Sequence, residues 1–494
     1  MNAQVVLEPL FLGGMQQPEP GQERQFSEFY YRKKEKDYLQ IYPEGQIVPI
    51  SQENVKAALV TEGRIPKAEF ANPILYRIRA QHALDYDGPM PGYGLGLHRE
   101  NGMLFYCTSI PTLTIPRYTE GSLGESWPVT FELCRRLLAN NEVGDAQFWT
   151  FLAHLKMSIE GLKLALRPTP VGAVRSVRPG QAVALVGPIG CGKSFLLKYV
   201  IAPLLGGRLV GAFNAFSADA CGFNGELLLG EVWFVDDHQS SKDIRTRLCL
   251  AANIKANLYG AGVSFHLKHK TPITLTPFGR LFICCNDTEE SLNVLPPIKD
   301  DILDKIHLFR CNATESPMPT ETEEQRTLYR ARVEAELPFM AGDLERWSIP
   351  DEYRSGRSGV KTYMNPSVLA SLRQQTPESS LIELILGAFD ANQFSGAIWC
   401  GTARKLQLLL TDSGFAMRRE AERLLLGWPK ATGTYLGRIA DHSEEYAEEF
   451  EIQVLRLGQG TGETGKGVTQ YRLVDLRQKG GRNELLKSLW GEES

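Results

Sequence analysis

The 494-residue chain contains no CxxC pair, and its eight histidines form no cluster at metal-ligand spacing. Its nine cysteines are scattered singly apart from Cys284-Cys285. That usage argues against a structural zinc and against a disulfide scaffold, and it suits a reducing compartment. Nowhere do about 18 apolar residues run uninterrupted, so no membrane-spanning helix is expected. The opening Met1-Asn-Ala-Gln-Val-Val-Leu lacks the basic lead and long apolar core of an export signal. The expectation is a soluble, cytoplasmic protein without a membrane partner. Global basicity is missing too: Lys+Arg 54 against Asp+Glu 58 gives a net charge of -4. Any contact with nucleic acid must therefore use local patches.

The chain is long enough for about three domains at roughly 150 residues each. Its organising stretch is Gly187-Pro-Ile-Gly-Cys-Gly-Lys-Ser194, preceded by the apolar run AVALV at 182–186 and followed by FLLKYV at 195–200. The order reads as strand, glycine-rich loop, helix. In such a loop the backbone N–H groups around Gly187, Gly190 and Gly192 converge on phosphate oxygens at the positive end of the helix. Lys193 would reach the β/γ-phosphates, and Ser194 would ligate Mg²⁺, so ATP and Mg²⁺ are the expected cofactors. An ordinary glycine turn is the alternative, and the flanking strand and helix weigh against it.

Downstream, the apolar run at 227–235 ends in Asp236-Asp237-His238. A buried strand ending in two carboxylates after a phosphate loop suits Asp236 as the residue holding Mg²⁺ through water and Asp237 as the one polarising the attacking water. A second such strand, RLFICC at 280–285, ends at Asn286, which is placed to sense a γ-phosphate, or simply to form a turn with Asp287-Thr288. Between the two strands, alternation on both sides of Lys268-His269-Lys270 predicts a hairpin with a basic tip. Such a tip grips phosphates without reading bases.

Elsewhere the signals are weaker. The mixed aromatic and basic run FYYRKKEKDY at 29–38 is either a stacking surface for a single strand or an amphipathic strand pair. Asp85 and Asp87 have the spacing of a metal-binding DxD, which is also common in turns. Apolar residues recurring every three or four positions over 143–166 predict an amphipathic helix. The RSGRSGVK stretch at 354–361 either faces an anionic ligand or forms a solvated loop. After residue 396, three short helices and two strand-like runs joined by the glycine-rich segment 458–467 make a winged helix. It would offer Lys430 and Arg438, with Lys466 on the wing, to duplex DNA; winged helices also bind proteins.

Taken together, residues 187–194, 232–237, 268–270 and 280–286 resemble, in order and spacing, the superfamily 3 helicases. These are AAA+ motors of small viruses, phages, satellites and plasmids, and the likeness is to the phage and satellite primase-helicase type. The resemblance covers residues 140–312. It implies an α/β fold: a AAA+ P-loop ATPase core, with an N-terminal α+β domain and a C-terminal winged helix. It also implies a homo-oligomeric ring, usually a hexamer, with ATP between subunits and Lys268, His269 and Lys270 lining a pore around single-stranded DNA. The trans-acting finger falls on Arg310 or Lys305. The expected layout is an N-terminal domain of unclear role (1–140), the ATPase with a preceding helix (141–312), a linker with helical segments (313–395), the winged helix (396–476) and a tail (477–494). The reading is an ATP-dependent DNA helicase or replication initiator. The alternative is a AAA+ ATPase that remodels or loads a protein partner, including in a defence system, without unwinding.

Overall fold

A computed structural model describes residues 26–33, 35–43, 46–139, 144–168, 175–218, 222–236, 244–260, 262–269, 271–298, 300–374, 376–461 and 467–478. The chain divides into two compact units, Met1–Val368 and Leu369–Ser494. Among the described residues no helix is long and apolar enough to cross a membrane.

The first unit is built around a five-stranded, wholly parallel sheet. Its strands in chain order are β1 (Ala182–Val186), β2 (Leu209–Gly211), β3 (Val232–Asp236), β4 (Arg280–Cys285) and β5 (Ile306–Arg310). Their order in space is β5-β1-β4-β3-β2. Every residue of β1 and β4 is buried. That explains why both read as unbroken apolar runs rather than alternating ones, since a parallel sheet is covered on both faces.

One covering element is the helix Ala146–Ala165. A one-sided amphipathic helix was expected over this stretch. The helix is instead buried almost all round, with Gln147, Thr150, His154 and Ser158 enclosed alongside Phe148, Phe151 and Leu155. These polar groups are satisfied: Gln147, for one, donates to the carbonyls of Leu138 and Arg310. The 24-residue helix Glu323–Arg346 opens on a capping box between Thr322 and Gln325 and packs its Tyr329, Val333, Leu337 and Met340 into the same core.

Ahead of this core, Glu28–Arg32, Asp37–Ile41 and Ile47–Ile50 form an antiparallel meander, with Ala83–Leu84 added in parallel to the first strand. Phe29, Tyr30 and Tyr38 are buried in its core. The aromatic run at 29–38 is therefore a strand pair, and these rings are unavailable for stacking bases.

The second unit contains a three-stranded antiparallel sheet, with Gly467–Asp475 between Ile398–Thr402 and Ile452–Thr461. Short helices including Ala403–Leu410, Arg418–Leu425 and Ala431–Asp441 pack on it through Leu406, Leu410, Leu425, Leu436 and Ile439.

Candidate functional site

Register decides what meets at the carboxyl edge of the parallel sheet. Val186, the last residue of β1, lies opposite Cys285 of β4 and Arg310 of β5. Gly187, Asn286 and Cys311 therefore leave the sheet side by side. Asp236, the last residue of β3, lies opposite Cys284 and ends level with them. β1 sends its connection to one side of the sheet, towards β2, whereas β4 crosses back over β1 to reach β5. That reversal of strand order is where open α/β sheets place their ligands.

Gly187 is required by close approach, because a Cβ there would sit 2.4 Å from the Cys311 carbonyl oxygen. Gly190 and Gly192 are required by conformation, with φ of +77° and +106°. A Cβ at either would meet nothing within 4 Å, so conformation and not crowding calls for glycine there. The helix that follows starts at Lys193 and passes into one π-type turn, Leu197–Ile201, ahead of Pro203.

Lys193 is buried and folds back into this loop. Its ammonium donates to the carbonyls of Gly187 (2.7 Å) and Pro188 (2.8 Å), with Asn286 Oδ1 at 3.3 Å and Cys191 Sγ at 3.7 Å. Ser194 is exposed beside it. The loop thus gathers a buried ammonium held by two carbonyls and a hydroxyl on the first turn of the helix, donor types that an anionic ligand with a metal ion would use. Among the described residues no group of three His, Cys, Asp or Glu could hold a metal alone. This is compatible with Mg²⁺, which keeps several waters and takes few protein ligands. Asp237, expected as the catalytic carboxylate, lies outside the described residues, as do Lys270 and Lys466.

Sequence reasoning missed Cys191. The Cys311 thiol donates to its sulfur, and the Lys193 charge is close, so its thiol is pulled down to about 6. Burial and the neighbouring sulfur push Cys311 up. The one available signal was a cysteine at a variable position of the phosphate loop, and nothing in the sequence placed residue 311 against it.

The remaining expected residues fall in separate places. Arg310 ends β5 at the same edge as the loop and donates to Ser367 Oγ at 2.8 Å. Lys305 precedes β5 at the opposite, amino edge, paired with Asp304 and lying over the Tyr259 ring. Lys268 and His269 are exposed at the tip of a hairpin of Val263–Phe265 and Ile273–Leu275, whose base is buried through Val263, Phe265, Ile273 and Leu275. Asn224 clasps that hairpin, accepting from His266 N (2.7 Å) and donating to the Ser264 carbonyl (2.9 Å).

In the second unit Lys430 is exposed just ahead of the helix Ala431–Asp441, while Arg438 is tied at 2.8 Å to the buried Glu378. Asp85 bonds Lys33 (2.6 Å) and the Leu104 N–H (2.9 Å), and Asp87 pairs with Arg32 at 3.4 Å. The DxD spacing thus serves contacts that tie the meander to a second N-terminal sheet, in which Met103–Cys107 lies between Tyr86–Gly88 and Gly96–Glu100.

A family of unknown function, DUF5906, matches residues 185–301, the span from the end of β1 past the hairpin and Asn286. No curated protein matches the chain. Among solved structures, the apo C-terminal region of NrS-1 is similar at 14% identity and a TM-score of 0.47, covering 91% of this chain and 96% of that one. JCV helicase is similar at 14% identity and a TM-score of 0.20, covering 54% of this chain and 68% of that one.

Proposed function

We propose that the chain is an ATP-hydrolysing motor of the AAA+ superfamily 3 type that moves on single-stranded DNA as a homo-oligomeric ring, in the replication of a phage, satellite or plasmid. The observation that carries this reading is the convergence of Lys193 and Asn286, 3.3 Å apart, at the strand-order reversal of a parallel sheet. A γ-phosphate between them draws the ammonium off the two loop carbonyls, and the Asn286 amide orients the attacking water. Bound Mg²⁺, held by Ser194 and through water by Asp236, supplies charge neutralisation on the phosphates. Asp237 takes the part of the polarising base. Of the two finger candidates, Arg310 is favoured, because only a guanidinium offers the planar fork that transition-state charge uses.

The buried base and exposed tip of the hairpin suit Lys268 and its neighbours to a moving contact with a strand. The C-terminal unit serves as a winged helix, with Lys430 as its candidate duplex contact. Arg438, committed to Glu378, contributes to its packing. The test is phosphate release with and without single-stranded DNA. DNA should stimulate turnover, and Lys268→Ala should remove the stimulation while leaving basal turnover intact. DNA-independent hydrolysis that Lys268→Ala does not alter would instead favour remodelling of a protein partner.

A further inference from the structure

The RSGRSGVK stretch at 354–361 has no part in the reading above, yet the structure gives it a fixed place. Arg354–Ser355 and Gly359–Val360 form a small hairpin against the helix Ala146–Ala165. Gly359 has φ +85°, and a Cβ there would lie 2.5 Å from Met157 Cε. Val360 and Ile349 are buried with Ala153, and Lys361 N donates to the Tyr353 carbonyl at 2.8 Å. The hairpin is packed in position, so a freely solvated loop is ruled out.

Its outer side closes a cleft of about 490 Å³, into which Arg178, Arg346, Arg354 and Arg357 all face. A second cleft of about 260 Å³ continues along the same helix past Lys163 and Arg167, and the two share Lys156, Glu160 and Glu345. The two clefts form one track, lined by seven cationic side chains and two carboxylates, Glu160 and Glu345, which hold Lys156 and Lys163 at 2.8 Å; three more carboxylates, Asp304, Asp343 and Asp351, reach the arginines from beside the clefts. The track's arginine ion pairs are long, Arg178 with Glu160 at 3.8 Å, Arg346 with Asp343 at 3.4 Å and Arg354 with Asp351 at 3.4 Å, while Arg354 Nε also donates to the Ile349 carbonyl at 2.7 Å and Arg346 to the Thr119 carbonyl. Arg357 meets Asp304 at 3.1 Å with its side chain 61% exposed. Such exposed pairs are weak and can be exchanged for a phosphate. Trp347 lines the larger cleft, half-buried with its ring 5.9 Å from that of Trp149, and its exposed part is the one aromatic surface lining the cleft among the described residues.

We propose that this track binds the phosphodiester backbone of a single-stranded nucleic acid, with a base against Trp347. The chemistry it selects is a phosphate oxyanion beside an aromatic base, which a free nucleotide also offers. The continuation into a second cleft favours a strand, because one nucleotide would leave the Lys163 and Arg167 end unfilled. The track is separate from the phosphate loop: Arg178 leads into β1 and Asp304 into β5, so it lies at the amino edge of the sheet, about 15 Å of strand from the loop. The buried base of the 263–275 hairpin is at that edge too, since Thr276 follows it into β4. The track shares its ligand with the function proposed above but rests on different residues, and it stands whether or not the loop hydrolyses ATP.

The experiment measures binding of a fluorescent single-stranded oligonucleotide to the full chain without added nucleotide, across a salt series. Arg354→Ala with Arg357→Ala should weaken binding about tenfold or more and lower the slope of log affinity against log salt by about 1.4, at about 0.7 per phosphate contact. Basal ATP hydrolysis should be unchanged. Trp347→Leu should weaken binding at every salt concentration without altering the slope. Arg354→Lys with Arg357→Lys, which keeps both charges, should retain most of the affinity; it separates lost contacts from a misfolded hairpin. Competition by free ADP in a Lys193→Ala chain assigns the source. Displacement of the oligonucleotide at micromolar ADP would make a free nucleotide the track's ligand and overturn the proposal of a strand. Unchanged affinity and slope in the double alanine variant would overturn it as well, and if Lys268→Ala alone weakened binding, the function proposed above would still stand.

Discussion

Lys193→Ala separates a phosphate-binding loop from a glycine turn. Without a ligand the ammonium has two short bonds to the carbonyls of Gly187 and Pro188, and Asn286 is nearby. Hydrogen bonds to a charged group contribute about 1.5–3 kcal/mol each; Gly187 is buried and Pro188 half-buried, but alanine also removes the cost of burying the ammonium. The loss of stability without nucleotide should therefore be about 1–2 kcal/mol, a fall of a few degrees in Tm. The nucleotide response should change far more. At 100 times its Kd, ATP with Mg²⁺ stabilises a binding-competent chain by about 2.7 kcal/mol, and Lys193→Ala should lose nearly all of that shift. Turnover should fall by about 10²–10³, as when one preorganised donor to a developing charge is removed. Asn286→Ala should slow turnover while keeping the thermal shift, because its amide acts on the water rather than on binding. Thermal melts with and without ATP, run beside a phosphate-release assay, read both quantities. Full turnover and an intact shift in Lys193→Ala would sink the assignment of residues 187–194 as the fuel site.

Cys191 should react with iodoacetamide at a rate that titrates with a midpoint near pH 6, and ATP should protect it; a midpoint above 8, or no protection, would place the thiol outside the nucleotide's reach. His307, between Gln181 Oε1 (3.0 Å) and Tyr363 N (3.1 Å), is pushed down to about 3 by burial, and burial holds the adjacent His154 low as well. The unfolded chain takes up these protons below about pH 6.5 and the native one does not. Their contribution is thus complete above 6.5 and is lost towards pH 3, at about 1.4 kcal/mol per pH unit for each histidine. His307→Gln should flatten the urea midpoint between pH 6.5 and 5; an unchanged slope would mean that His307 already titrates in the fold. Gly279→Ala puts a methyl 2.2 Å from the buried Trp233 ring and should destabilise by about 1–3 kcal/mol in urea, with no effect expected if the β3–β4 packing were loose.

What the sequence made legible was whatever is carried by a local pattern. The strands β1, β3 and β4 announced themselves as apolar runs because both faces of a parallel sheet are covered, and the glycines of 187–192 because few other residues allow that loop. The hairpin of 263–275 was visible through its period of two. The helix Ala146–Ala165 was found, but its spacing understated its burial: Gln147, His154 and Ser158 are enclosed too, with partners on β5 and within the helix. Cys191 and Cys311 could not have been paired, since their contact depends on β5 lying beside β1, across a separation of 120 positions with β2, β3 and β4 between them in the chain. The same non-local placement separates Arg310 from Lys305. Only five positions divide them, yet a short parallel strand sends one to each edge of the sheet.

That division bears on how a motor could be built here. In the proposed function phosphate chemistry would take place at the carboxyl edge, while the cations of the 354–357 cleft and the base of the basic hairpin belong to the amino edge. The helix Ile244–Tyr259 joins the two covalently: it begins shortly after Asp236, and its last residue, Tyr259, lies beneath Arg357 and Lys305. Sixteen helical residues span about 24 Å. A displacement of its first turn on loss of a γ-phosphate would be felt at the far edge as a rigid shift, because a packed helix does not absorb strain along its length. Reciprocity then fixes the thermodynamics: if a nucleotide alters affinity for the strand by some factor, the strand alters affinity for that nucleotide by the same factor. A motor of this layout needs that factor to differ between the triphosphate and diphosphate states, and the difference must originate where Lys193 leaves its two carbonyls.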